Sequence, residues 1–161
     1  KSFGVRSRFV HFEFFRLLSD HEGLGKKGDL MALEVNMRPS GGFTPDMINF
    51  ARETDVYKIW ADMVAYDSTQ KPVGTHHFCA FAGLRDGKDF ALTPDDIIEK
   101  YDDHLKMVER MPDALADAMG NQMYLATFDT EEELHTFFAD VTRQKEPDVS
   151  VASETAETLE S

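Results

Sequence analysis

Between Ser7 and Leu18 the chain reads SRFVHFEFFRLL, a run of aromatic and β-branched residues that no proline or glycine interrupts, which predicts a strand. A turn-rich stretch, SDHEGLGKKGD, follows, and LMALEVNMR then resumes the extended pattern. Together they predict an antiparallel hairpin with a long loop. In the second strand Glu34, Asn36 and Arg38 are spaced by two, with Leu33, Val35 and Met37 in register against them. A period of two puts the polar three on one face and turns the apolar three toward a core.

The pattern then changes to a helical one. Thr44 precedes Pro45 as N-cap and first helical residue. Val56, Ile59, Trp60, Met63 and Val64 recur at helical spacing, giving one helix or two with a break near Thr54 and Asp55. The loop DSTQKPVG, 67–74, reads as a joint between lobes. Beyond it THHFCAFAGLR is strand-like, and Thr93, Pro94 and Asp95 open a second helix expected to run through LTPDDIIEKYDDHLKMVERM, with Ile97, Ile98, Tyr101 and Leu105 as its apolar stripe. NQMYLATFD predicts a strand, and TEEELHTFFADVTR a helix with a capping box from Thr130 to Glu133. From Lys145 onward little can be buried, which predicts a disordered acidic tail over 145–161. The expected class is α+β: an antiparallel sheet with packed helices over 1–67, and a small lobe of alternating strand and helix over 74–144.

Composition narrows the partners more than it changes the fold. With 161 residues, 42% of them hydrophobic, the chain can build a real core. Thirty acids against 17 lysines and arginines leave a net charge of −13, which repels a phosphate backbone and argues against nucleic acid. No apolar run reaches the roughly 20 residues of a membrane span, so a membrane partner is not expected. The single cysteine, Cys79, excludes an internal disulfide framework and suits a reducing, cytoplasmic setting.

The polar strand face carries the most chemistry. Glu34 and Asn36 offer a carboxylate and a carboxamide oxygen side by side, a donor set suited to Mg²⁺, which takes oxygen ligands and substrate phosphates. The neighbouring strand adds Glu13, in the apolar setting VHFEFF where an unpaired carboxylate is costly, and His11 on the same face, able to orient Glu13 or touch a ligand. Arg38 is a planar donor for a phosphate or carboxylate. Gly41 and Gly42 let backbone N–H groups approach an anion just before the helix near Thr44. The competing reading is a solvent-facing sheet edge with Arg38 as an ion-pair partner.

At these residues, FEFF followed by LEVNMR, the chain resembles the C-terminal part of the ATP-grasp superfamily, which includes biotin carboxylase and the large subunit of carbamoyl-phosphate synthetase. The resemblance covers about the first 45 to 60 residues, inside the segment 1–67, and implies that Glu13, Glu34 and Asn36 hold Mg²⁺, or Mn²⁺, against the phosphates of ATP. It further implies that Arg38 contacts the anionic substrate or its acyl phosphate, and that Asn36, Gly41, Gly42 and His11 line the nucleotide site. The activity so implied is an ATP-dependent ligase that activates a small carboxylate by phosphoryl transfer. The family's nucleotide-covering lysines and glycine-rich loop would come from a preceding half or a second copy. The alternative is a non-catalytic α+β binding or assembly module.

Other motifs point to less. GLGKKG matches neither phosphate-binding glycine pattern and reads as a hairpin turn. His77 and Cys79 share a strand face, but zinc needs further ligands that no suitable spacing supplies. Asp102, Asp103 and His104 read as a solvated helix face, and Trp60 as a packing residue.

Overall fold

The longest fully buried strand lies near the end of the chain. Gln122–Phe128 (QMYLATF) buries every position after the first, and a strand apolar on both faces belongs in the middle of a sheet. The computed structural model describes residue 4 and residues 8–69 and 74–145, and it places this strand centrally. Along the chain the elements are β1 (His11–Arg16), β2 (Leu30–Asn36), α1 (Thr44–Arg52), α2 (Val56–Tyr66), β3 (Phe78–Leu84), α3 (Pro94–Tyr101), β4 (Leu105–Arg110), α4 (Asp113–Met119), β5 (Gln122–Phe128) and α5 (Glu131–Thr142). The class is α+β, with a two-stranded sheet β1-β2 and a three-stranded sheet in the order β3-β5-β4. The chain divides into two units at His77 and Phe78.

In the first unit β1 and β2 form the antiparallel hairpin, with His11 opposite Asn36, Phe12 opposite Val35 and Glu13 opposite Glu34. The long turn between them is held by its own carboxylates. Asp29 accepts from the Lys26 amide and Asp20 from the Lys27 amide, both at 2.9 Å. Those N–H groups, which a phosphate cradle would need, are therefore taken, and the hairpin-turn reading of GLGKKG fits. The helical stretch is broken where the sequence suggests: Glu53 adopts the left-handed conformation (φ 47°) and closes α1, and Asp55 caps α2 by accepting from the Lys58 amide. One detail differs by a residue, since the N-cap of α1 is Phe43, and Thr44 is already helical.

The apolar face of the hairpin is a larger correction. Leu33 is 55% exposed and Val35 39%, and Phe12 and Phe14 are also exposed, so these residues do not point into a core. The alternation is present, but a two-stranded sheet has no second layer of its own to cover it. Arg38 departs from the pattern too, because β2 ends at Asn36 and the period of two does not extend to it.

The second unit has a defined core of Ala80, Ala82, Leu84, Ile97, Tyr101, Tyr124, Ala126, Phe128, Phe137 and Val141. Both neighbours of β5 are antiparallel to it, so β3 and β4 run parallel with β5 inserted between them. The helix expected over 92–111 is in fact two elements, α3 and then β4. The stripe Ile97, Ile98, Tyr101, Leu105 suits a helix, yet from Leu105 the residues LKMVER also alternate, and pairing with the free edge of β5 decides the matter. Asp102, Asp103 and His104 are thus a turn rather than a helix face, with the His104 amide donating to the Tyr101 carbonyl. α4 is an additional short helix in a segment with no strong periodic signal. The capping boxes at Thr93 and Thr130 are both formed. The acidic tail expected from Lys145 onward lies, beyond that residue, outside the described residues.

Two glycines set how closely β3 and the end of α4 approach. A Cβ on Gly83 would stand 1.9 Å from the Met119 carbonyl oxygen, and Gly120, which ends α4 at φ +87°, has Gly83 backbone atoms against it. Backbone on both sides leaves no side chain to rotate away. Gly83→Ala is expected to cost about 1–3 kcal/mol of stability, read as a lower urea midpoint with an unchanged slope.

Candidate functional site

Residues directly opposite each other in an antiparallel pair project from the same face. The pairing of Glu13 with Glu34 and of His11 with Asn36 therefore gathers four polar side chains on one side of the hairpin. His11 Nε2 lies 3.1 Å from Glu13 Oε1, and the Asn36 amide donates from Nδ2 to Glu34 Oε1. Because that amide bonds through its nitrogen, its carbonyl oxygen is the atom left to ligate a cation. Among the described residues, His11, Glu13 and Glu34 are the group whose potential ligand atoms cluster, all within 4.8 Å of one another.

The cluster concentrates negative charge on this face of the hairpin. Two carboxylates opposed across a strand pair repel, and His11 stands beside only one of them, Glu13. His11 Nδ1 is buried and makes no hydrogen bond among the described residues, so one ring nitrogen is held out of water without compensation. A register irregularity falls between Glu13 and Phe14, and bulges of this kind re-aim the adjacent side chain. The donor set of two carboxylates, an amide oxygen and an imidazole fits a divalent ion. Carboxylate and amide oxygens suit Mg²⁺, and the imidazole favours a borderline ion such as Mn²⁺.

His11 is where the sequence and the structure differ in emphasis. It was expected beside the nucleotide, and the geometry puts it among the candidate metal ligands. Its place two residues before Glu13, on the same strand face, is the signal that carries this.

The remaining predicted residues lie around the strand end. Arg38 is exposed, and its Nη1 donates to the Pro39 carbonyl at 2.9 Å. It lines a small cavity of about 150 Å³ with Pro45, Val56, Tyr57 and Trp60. Trp60 is 45% exposed and packs as a wall of this cavity. Gly41 and Gly42 are exposed and lead into α1, whose start has no side-chain cap. Gly42 has φ +60°, and a Cβ on Gly41 would meet nothing within 4 Å. No side chain caps the start of α1, and Pro45 in its first turn carries no N–H of its own.

The other candidates have structural partners. His77 Nε2 sits 3.1 Å from Thr75 Oγ1 and 3.9 Å from Glu53. The Cys79 thiol is pushed up to about 11 by burial, which keeps it protonated and inert. His104 stacks on Phe128 at 4.8 Å, with Nδ1 3.0 Å from the Thr127 carbonyl. Among the described residues no helix is long and apolar enough to cross a membrane. No family model, curated protein or solved structure matches the chain.

Proposed function

We propose that this chain carries the metal-binding side of an ATP-grasp ligase site, in which Glu13, Glu34 and Asn36, joined by His11, hold Mg²⁺ or Mn²⁺ against ATP. The observation that carries the reading is the register of the hairpin, which sets Glu13 against Glu34 and His11 against Asn36. A metal bound there would neutralise phosphate charge during transfer to a carboxylate. The chain's own residues do the rest. Glu13 and Glu34 supply negative charge to fix the ion, and Arg38 offers a planar fork to a small carboxylate substrate. The turn at Gly41 and Gly42 would admit an anionic oxygen to the start of α1. Arg38 must release Pro39 to do so, exchanging a neutral acceptor for a charged one. By this reading the chain binds metal and nucleotide weakly alone and turns over ATP only when lysines and a mobile glycine-rich loop cover the nucleotide. The single cysteine, held as a thiol, supports a cytoplasmic location.

The test is calorimetric titration of the chain with Mn²⁺, Mg²⁺ and a non-hydrolysable ATP analogue. Saturable, metal-dependent nucleotide binding is the expected result, and a well-folded protein that takes up no divalent ion overturns the proposal.

A second reading, a non-catalytic assembly module, draws on the uncovered apolar face of the hairpin, since contiguous exposed apolar surface marks an interaction site. Sedimentation equilibrium should show concentration-dependent self-association, reduced by Phe14→Ser. A strictly monomeric species at high concentration would remove the support for this reading.

A further inference from the structure

A second cavity, of about 400 Å³, opens in the second unit beside the loop that joins β3 to α3. Its size is that of a small-molecule site, and so is its make-up of apolar walls with a few polar groups. Leu84, Phe90 and Ile97 give the apolar surface. The cationic side chains are Arg85, Lys88, Arg110 and Lys145, against Asp86 and Asp89. In a chain of net charge −13 a lining with four cations and two acids is a local reversal of sign.

The charges are not all available. Arg110 is engaged by both oxygens of Asp86, and Arg85 donates to the Asp117 carbonyl. The Lys145 charge also acts on Asp96. Lys88 makes no ion pair among the described residues. The Tyr124 hydroxyl, on a residue that lines this cavity and is 0% exposed, has no hydrogen-bond partner among the described residues. A buried hydroxyl without a partner is uncommon in folded proteins.

The loop itself is held in shape. Ala91 donates to the Arg143 carbonyl and Lys145 to the Asp89 carbonyl, each at 2.8 Å, while Asn121 accepts from the Asp86 amide at 3.0 Å. The loop beside the cavity is therefore held by backbone hydrogen bonds and one side-chain acceptor, Asn121.

We propose that this cavity binds a small organic monoanion, a carboxylate with an apolar body, whose chain lies on Leu84, Phe90 and Ile97 and whose charge faces Lys88. A multiply charged phosphate fits less well, because Asp86 and Asp89 share the rim and the excess of positive charge is small. The site is independent of the hairpin cluster and of the reading placed on it.

Titration of the isotopically labelled full chain with hexanoate, and separately with the uncharged hexanamide, tests it by NMR. Shifts should concentrate at residues 84–92 and at Tyr124, and hexanoate should bind about tenfold tighter than hexanamide, the effect of one charge-assisted contact. Lys88→Glu, at an exposed position whose folded spectrum is checked first, should abolish that preference and leave hexanamide unchanged. Equal affinity for the two probes, shifts scattered over the surface, or no saturable binding to the unmodified chain would each overturn the proposal.

Discussion

Glu34→Gln should abolish saturable divalent-ion binding to the chain and, in a protein that supplies the rest of an ATP-grasp site, metal-dependent ATP turnover. The substitution keeps size and hydrogen-bonding shape and removes one of two opposed carboxylates. Glu13 and His11 would remain, but a hard divalent ion depends on paired charge for its dehydration cost, so binding should fall below detection. Glu13→Gln should behave in the same way. Stability separates the site reading from a structural role. Because Glu13 and Glu34 face each other across the strands, removing either charge relieves repulsion of roughly 0.2–1 kcal/mol. The metal-free variants should thus be as stable as the parent or slightly more so. The parent should gain stability on adding Mn²⁺ and the variants should not, since a ligand stabilises only the state that binds it. A variant that keeps metal binding, or one that loses it only because the hairpin unfolds, would sink the assignment.

The second large effect concerns the core of the second unit. Phe137→Ala is expected to destabilise that unit by about 3–5 kcal/mol, a large share of the 5–15 kcal/mol typical of a domain. Phe137 is 0% exposed. Its ring meets Tyr101 edge-on at 5.0 Å and Phe128 at 5.3 Å, so truncation removes both transfer energy and aromatic contacts. Tyr101 is itself fixed, its hydroxyl donating to Asp140 at 2.7 Å, with Lys100 on the same carboxylate. That anchoring leaves the neighbours little freedom to close the gap, which favours the upper part of the range. Urea unfolding followed by the near-ultraviolet tyrosine signal reads it. A loss below about 1 kcal/mol would mean that the site collapses easily, against the packing described.

Much of this was written in the chain. The alternation around Glu34 and Asn36 places them on one strand face because a period of two is a property of extended backbone, whatever surrounds it. The helix starts at Thr93 and Thr130 followed from side chains that bond their own backbone, an interaction complete within four residues. The break at Thr54 and Asp55 was legible for the same reason. The candidate metal residues could be named as well, since Glu13 and Glu34 are unusual among apolar strand neighbours.

What the local pattern could not supply was anything set by a distant partner. LKMVER forms β4 because β5, later in the chain, offers it an edge, and no window ending near Arg110 contains that strand. Leu33 and Val35 alternate as core residues do, yet whether such a face is covered depends on a second layer and not on the strand. The cross-strand register that joins His11 to Asn36 and Glu13 to Glu34 is likewise tertiary, fixed by the hairpin as a whole. So is the cavity in the second unit, whose walls come from segments more than 50 residues apart. The sequence determined which backbone each segment favours and which side chains share a face. The tertiary structure decided which faces meet, because burial and register depend on contacts between segments that no short stretch of chain encodes.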